Sequence, residues 1–291
     1  CGGDSLKAIM LSIKIGQFFV RKIPVTFVYK NRTIASQAKA IFEYLLQPTI
    51  DYAALNFSES KQLLILFPPF NCGAEAYYAL AAELTDKVKV MGINNYFINY
   101  PMLVNDDKNA LLDYYVSQAK KIIDEYNAEQ IFLGGWSLGG ALAVAVYERL
   151  WPYCNKLNAR VILFDTRNVL PQDKYREVKV DPDDIYNVLN HNNALNQQFI
   201  SAGYSSIQFK HFVECTMQIT NKLYFKKLNC IIFLIRCLQP IGRYYCEESS
   251  NNWRQCCEQI IIKEIDANHI NVLIEPKFIK QVASILQESV F

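Results

Sequence analysis

A serine lies between two glycines in the segment Gly135-Trp-Ser137-Leu-Gly139, after an apolar run from Ile131 and before a helical pattern. Where a strand turns sharply into a helix, the backbone crowds the positions two before and two after the serine, so only glycine fits there. The turn presents the serine hydroxyl at the strand end and above a helix N-terminus, which stabilises developing negative charge. We therefore predict that Ser137 is a nucleophile; the alternative is an ordinary glycine turn.

A serine nucleophile needs a base, and a carboxylate that orients the base. Asp165 directly follows the apolar run Val161–Phe164, which we predict to be the next strand after the Ser137 helix. A strand-end aspartate often only caps a turn, but the chain order and the strand end favour the orienting role. Four later aspartates lie beyond that strand end and are weaker candidates: Asp173, Asp181, Asp183 and Asp184.

Three histidines are available as the base. His191 and His211 precede the last two predicted strands, whereas His269 follows the last one, in the loop Asp266-Ala-Asn-His269. A lone loop histidine is usually a solvated surface residue. The order Ser, Asp, His across strand ends nevertheless predicts that His269 accepts the proton of Ser137 and that Asp165 stabilises the imidazolium.

Acyl transfer at Ser137 also needs two backbone donors for the oxyanion. The N–H of Leu138, the residue after the nucleophile, is the first candidate. The second should come from the loop Phe67-Pro-Pro-Phe70. Because Pro68 and Pro69 have no N–H, Phe70 is the first donor in that loop. A rigid Pro–Pro turn alone would also explain the loop.

Short apolar runs alternate with helical periods from Leu63 to the end of the chain. This pattern predicts an α/β fold with a mostly parallel sheet that is covered on both faces. The predicted strands are Leu63–Phe67, Val88–Ile93, Ile131–Leu133, Val161–Phe164, Ile231–Ile235 and Ile260–Ile265. The predicted helices of this region are Ala74–Leu84, Asn109–Tyr126, Leu138–Leu150 and Lys277–Glu288, and two more are predicted before it, at 5–15 and Thr33–Leu46. Residues 172–226 contain no good strand, which predicts an inserted lid.

Composition narrows the classes of function. The 30 Lys and Arg balance 28 Asp and Glu, so no global basic charge points to nucleic acid. The longest apolar runs are far shorter than a membrane span, and we expect no membrane association. The nine cysteines show no paired metal-ligand spacing, so we expect no metal and predict reduced thiols in a cytoplasmic protein.

Four of these segments carry a family resemblance. Leu64–Gly73, Gly134–Gly140, Phe164–Thr166 and Ala267–His269 resemble, in order and spacing, the release thioesterase domains that end nonribosomal peptide synthetases. The resemblance implies an α/β-hydrolase over residues 63–291, with a helical lid at about 172–226. It also implies that a carrier-bound acyl or peptidyl chain passes from a phosphopantetheine thioester to Ser137 and is then hydrolysed or cyclised.

The start of the chain resembles a second family. Gly2-Gly-Asp-Ser5-Leu6 before a helical pattern resembles the attachment motif of peptidyl carrier domains, and Arg32–Ala38 resembles the start of the carrier's last helix. The resemblance implies a partial all-α carrier domain at 1–46, followed by a linker and domain start at 47–62. It implies that Ser5 carries 4′-phosphopantetheine added by a phosphopantetheinyl transferase, and that upstream synthetase modules supply the substrate.

Together these features predict the C-terminal end of a nonribosomal peptide synthetase, with a truncated carrier domain and a release thioesterase. The enzyme alternatives are a free-acting or proofreading acyl-thioester hydrolase, and a release domain of a polyketide or hybrid line. From another class, a non-catalytic carrier-docking module could retain the fold. Loss of Ser137, Asp165 or His269 would have favoured that module, and the sequence retains all three.

Overall fold

The chain divides into two compact units. The computed structural model describes residues 7, 8, 10–12, 14, 15, 25–45, 51–70, 72–96, 108–170, 223–225, 227–241 and 246–291. Of these, the residues up to 45 belong to the first unit and those from 51 onwards belong to the second. Ser5 lies outside the described residues, and so do all residues of the predicted lid at 172–226 except 223–225.

The described part of the first unit is helical. Helix α1 spans Val25–Lys30 and α2 spans Ile34–Leu45. Thr33 and Ser36 cap the start of α2 reciprocally, because the hydroxyl of each accepts the backbone N–H of the other at 3.1 Å. The predicted helix Thr33–Leu46 is therefore present to within one residue at each end.

The second unit contains a seven-stranded sheet in the order β1-β3-β2-β4-β5-β6-β7. The strand β1 pairs antiparallel with β3, and all the other pairings are parallel. The strands are β1 Tyr52–Ala54, β2 Gln62–Phe67, β3 Lys89–Ile93, β4 Gln130–Trp136, β5 Arg160–Phe164, β6 Leu228–Gln239 and β7 Cys257–Asn268. The prediction of an α/β fold with a mostly parallel sheet is confirmed.

Helices cover this sheet. Within the described residues they are a 3-10 helix Ala74–Tyr77, α3 Tyr78–Glu83, α4 Lys108–Glu125, α5 Leu138–Arg149, α6 Trp151–Lys156 and α7 Pro276–Ser289. Nearly every residue of β2, β4 and β5 is buried, as expected for central parallel strands with both faces covered. None of the helices in the described ranges has the length and apolar character needed to cross a membrane.

The register brings three strand ends to one edge of the sheet. Phe67 of β2 pairs with Gly135 of β4, and Trp136 of β4 pairs with Phe164 of β5. The residues that follow these strands therefore leave the sheet at the same level. This carboxyl edge carries Ser137 and Asp165 one residue beyond their paired strand ends.

Several elements depart from the sequence prediction. The predicted helix Ala74–Leu84 is a 3-10 helix followed by α3. Tyr52–Ala54 forms the edge strand β1, which is absent from the predicted strands. The predicted helix ending at Leu150 is followed at once by α6, in which Pro152 occupies the first turn. Proline is tolerated there because the first N–H groups of a helix have no partner within the helix.

Candidate active site

Ser137 lies on the sharp turn between β4 and α5. Its backbone has φ 57° and ψ −120°, a conformation that side chains with a Cβ rarely adopt. A Cβ at Gly135 would lie 2.3 Å from the backbone carbon of Gly139, and a Cβ at Gly139 would lie 2.2 Å from the carbonyl oxygen of Phe67. The steric reason inferred from the sequence for these two glycines is confirmed.

The structure brings Ser137, His269 and Asp165 together. The hydroxyl of Ser137 lies 3.0 Å from Nε2 of His269, whose Nδ1 lies 2.9 Å from Oδ2 of Asp165. Both His269 and Asp165 are buried. With Nδ1–H donating to the carboxylate, the lone pair of Nε2 faces the Ser137 hydroxyl and can accept its proton.

The second oxygen of Asp165 is held by donors from the β6 side. Oδ1 accepts the backbone N–H of Cys237 at 2.9 Å and the side-chain amide of Asn251 at 3.4 Å. The pKa of the Cys237 thiol is raised, mainly by burial and less by the negative charge of Asp165 and a hydrogen bond with Asp165. The thiol therefore remains protonated and can donate to the same carboxylate, so donors fix the carboxylate's orientation.

Residues 246–256, which we call the clamp segment, hold the turn that follows Asp165. The indole of the fully buried Trp253 donates to the carbonyl of Thr166 at 2.8 Å. The backbone N–H of Asn168 donates to the carbonyl of Asn251 at 3.0 Å. The clamp segment thus fixes both the Asp165 carboxylate and the backbone of the residues that follow Asp165.

Thr166 connects the Asp165 turn with the Ser137 turn. Its hydroxyl lies 3.1 Å from the carbonyl oxygen of Ser137 and 3.3 Å from that of Gly135. A Cβ at Gly140 would clash with this hydroxyl oxygen, so the glycine that follows Gly139 permits the approach. The turns that carry Ser137 and Asp165 are therefore linked by the hydrogen bond of Thr166 as well as through His269.

His269 is positioned by its own turn and by Trp136. The side chain of Asn268 accepts the N–H groups of Ile270 and Asn271, both at 3.0 Å, while Asn271 accepts the N–H of Asn268 at 2.9 Å. The indole of Trp136 donates to the carbonyl of His269 at 2.9 Å. The residue before Ser137 thus holds the base that faces Ser137.

The predicted oxyanion donors follow two adjacent strands, Leu138 after β4 and Phe70 after β2. Leu138 is the first residue of α5, where a backbone N–H has no carbonyl to bind within the helix. Phe70 follows β2 at the same edge and is half-buried. The loop that contains Phe70 is anchored where it meets the 3-10 helix, because Ala74 N–H donates to Asn94 and Gly73 N–H donates to Glu75.

Several residues of this network were not predicted from the sequence. Asn251, Trp253 and Cys237 contact the Asp165 turn from more than 70 residues away in the chain. A buried asparagine or cysteine has no local pattern that distinguishes it from ordinary core. Ser5, the predicted phosphopantetheine site, lies outside the described residues.

The chain is similar in structure to solved nonribosomal peptide synthetase domains. It covers 24% of the four-domain nonribosomal peptide synthetase AB3403, whose structure holds AMP and glycine, with all of this chain aligned at 18% identity and a TM-score of 0.63. It aligns over 83% of its length with 98% of the Vlm2 thioesterase domain bound with a dodecadepsipeptide, at 16% identity and a TM-score of 0.61. It aligns over 82% with 94% of SrfTE, the thioesterase domain that cyclises surfactin, at 20% identity and a TM-score of 0.57.

The fold is that of the α/β-hydrolases. At these identities the likeness concerns the fold, and the chain spans about a quarter of the AB3403 synthetase. No protein-family model matches the sequence, and no curated protein sequence matches it either.

Proposed function

We propose that the chain is a release thioesterase of a nonribosomal peptide synthetase, which removes an acyl or peptidyl chain from its carrier. The observation that carries the proposal is the relay from Ser137 through His269 to Asp165, with contacts of 3.0 and 2.9 Å. The likeness in fold to the Vlm2 and SrfTE thioesterase domains supports the thioester as the substrate class.

The first half-reaction transfers the acyl chain to the enzyme. The Ser137 oxygen attacks the thioester carbonyl carbon while Nε2 of His269 takes the hydroxyl proton. The resulting oxyanion accepts the N–H groups of Leu138 and Phe70. The C–S bond then breaks, His269 gives its proton to the leaving thiolate, and the acyl chain remains as an ester on Ser137.

The second half-reaction frees the chain. His269 takes a proton from water, or from a hydroxyl or amine of the acyl chain itself, as that group attacks the ester carbonyl. The C–O bond to Ser137 breaks and His269 returns the proton to the Ser137 oxygen. Water yields an acid and an internal nucleophile yields a macrocycle. Asp165 stabilises the imidazolium in both halves.

Covalent labelling tests the nucleophile. A fluorophosphonate should add one label per chain, and peptide mapping should place it on Ser137, because the labelled oxygen must lie beside a base. Ser137→Ala should abolish the label, whereas Ser284→Ala, on the surface of α7, should retain it. A label that survives Ser137→Ala would contradict the assignment.

We further propose that the thioester is delivered in cis from a phosphopantetheine on Ser5, in a cytoplasmic synthetase. The motif Gly2-Gly-Asp-Ser5 supports this, since it precedes a domain of the thioesterase type. With coenzyme A and a broad-specificity phosphopantetheinyl transferase, the chain should gain the mass of one arm. Ser5→Ala should abolish the gain, while Ser36→Ala should not. An active thioesterase that never gains the arm would instead be an acyl-thioester hydrolase supplied in trans.

A further inference from the structure

We propose that Tyr77 is a positioning residue of the candidate active site, which holds the oxyanion loop at a fixed distance from the Ser137 turn. The oxyanion loop is here residues 68–70 and 72–73, between β2 and the 3-10 helix. The inference rests on the proposed function, since it concerns the oxyanion formed during acyl transfer. It adds a residue that neither the triad nor the predicted oxyanion donors include.

The Tyr77 hydroxyl links the last residues of two adjacent strands. It donates to the carbonyl oxygen of Phe67, at the end of β2, at 2.6 Å. It accepts the backbone N–H of Trp136, at the end of β4, at 2.9 Å. The direct pairing of β2 with β4 ends at Phe67 and Gly135. The hydroxyl therefore continues the connection between the strands at the level where each turns into its catalytic loop.

The chemistry of the two partners fixes both hydrogen-bond directions. A carbonyl oxygen can only accept and an amide N–H can only donate, so the single hydroxyl proton must point to Phe67. Tyr77 is completely buried, and this burial raises the pKa of its phenol, so the proton is retained. A phenylalanine at this position would leave a buried carbonyl and a buried N–H without this partner.

The same carbonyl also lies against the Ser137 turn. A Cβ at Gly139 would lie 2.2 Å from the Phe67 oxygen, so this oxygen approaches the first turn of α5 very closely. Tyr77 thus holds a group that contacts α5 on one side and leads into Pro68, Pro69 and Phe70 on the other. At the far end of the loop, Ala74 and Gly73 are held by Asn94 and Glu75.

This arrangement predicts a specific kinetic consequence. Without the hydroxyl, the base of the oxyanion loop is free to move relative to Leu138, and the two oxyanion donors no longer converge as well. An oxyanion donor acts on the tetrahedral state rather than on the bound thioester. The loss should therefore appear in kcat and in the affinity for tetrahedral analogues, and not in KM.

The test is Tyr77→Phe in the full chain. With an N-acetylcysteamine acyl thioester, kcat should fall about tenfold or more, with KM within about twofold, because a small misplacement of a donor is costly. The dissociation constant of an alkyl boronic acid, which forms a tetrahedral adduct on Ser137, should rise by a similar factor. An unchanged kcat, or a reduced kcat with unchanged boronate affinity, would overturn the inference.

Tyr147→Phe is the matched control. Tyr147 is also buried and donates its hydroxyl to a backbone carbonyl, that of Asn229, at 3.0 Å. Asn229 lies near the start of β6, so this bond is at the opposite edge of the sheet. The control should lose stability in a thermal melt while keeping kcat and boronate affinity. An equal loss of kcat in both variants would mean general destabilisation and would contradict the positioning role.

Two further outcomes are distinguishable. If Tyr77→Phe does not fold, p-aminophenylalanine at position 77 weakens the bonds without deleting them, and boronate affinity should fall along with stability. Lower stability with unchanged boronate affinity would count against the inference. If the wild-type chain neither takes the fluorophosphonate label nor hydrolyses thioesters, the proposed function itself fails. If the wild-type chain is active and Tyr77→Phe has the same turnover, only the role of Tyr77 is refuted.

Discussion

The carboxyl ends and the amino ends of the parallel strands form two opposite edges of the sheet, here the carboxyl edge and the amino edge, and these two edges differ. At the carboxyl edge, polar side chains are buried and bonded into one network that includes Asp165, His269 and Asn251. Two turn residues there, Ser137 and Asp165, have positive φ angles of 57° and 46°. Neither is a glycine, so the surrounding structure must offset the conformational cost.

The amino edge holds a cleft of about 740 Å³ with a different character. Its lining includes Gln62, Tyr147 and Asn158, together with an ion pair between Lys61 and Glu129 at 3.7 Å. Both partners of that pair are largely exposed, at 61% and 75%. Water can solvate groups of this kind, so they need no precise partners.

The candidate catalytic residues of this fold therefore lie at the carboxyl ends of the strands. The strands are rigid supports for both edges, and the network at one edge comes from the residues just after the strands and from the clamp segment. Substitutions at the carboxyl edge should therefore cost activity, whereas substitutions at the amino edge should cost stability or nothing.

The largest effect is expected for His269→Ala. Turnover of an acyl thioester should fall about 10³-fold or more, because the triad acts as a unit and residual activity comes from the oxyanion donors. Glu258→Ala, on the exposed rim of the amino-edge cleft, is the control and should keep full turnover. Steady-state kinetics measures both. Near-wild-type turnover of His269→Ala would show that another base is in use.

The second prediction concerns Asn251→Gly. Asn251 has φ 51°, which glycine adopts without strain, so the change deletes the amide that holds Asp165 and keeps the backbone. Turnover should fall about tenfold with KM unchanged, since orientation of the base is lost rather than the base itself. Asn158→Gly, at φ 46° on the amino edge, is the matched control and should keep full turnover. Equal kinetics of the two variants would erase the contrast between the edges.

Strain at the nucleophile gives the third prediction. Glycine at position 137 relieves the conformation at φ 57° and ψ −120°, whereas alanine does not. In a denaturant titration Ser137→Gly should exceed Ser137→Ala in free energy of unfolding by about 1 kcal/mol or more. At the amino edge, Asn158→Gly should change the free energy of unfolding by only about 0.3 kcal/mol, because asparagine tolerates a positive φ. Equal stability of the two position-137 variants would remove the evidence for strain.

The central strands and the triad candidates could be predicted because their signals are local. Apolar runs mark β2, β4 and β5. Ser137 lies in its glycine motif, Asp165 directly follows the β5 run, and His269 follows the last apolar run. The edge strand β1 has three residues of mixed burial and no such run. The strands β6 and β7 each extend to 12 residues, well beyond the apolar segments within them.

The support around the triad could not be predicted, because its contacts join distant parts of the chain. Tyr77 meets Trp136 across 59 positions, and Asn251 meets Asp165 across 86. Tyr77 lies in a stretch whose apolar pattern predicts only a helix. Which of its tyrosines has a hydroxyl at a strand end depends on the register of the whole sheet.

The smallest effect is expected for Lys61→Ala at the amino edge. The Lys61–Glu129 pair is solvent-exposed, and such pairs contribute roughly 0–1 kcal/mol because water screens the charges and the side chains lose entropy. The free energy of unfolding should change by less than about 0.5 kcal/mol in 0.15 M salt. Turnover should stay at the wild-type level, because Lys61 lies just before β2 while the oxyanion loop follows its other end. Thermal melts and kinetics on one preparation measure both quantities. A clear loss of turnover would mean that the amino edge contributes to the reaction. The inference that only the carboxyl edge supports activity would then be wrong.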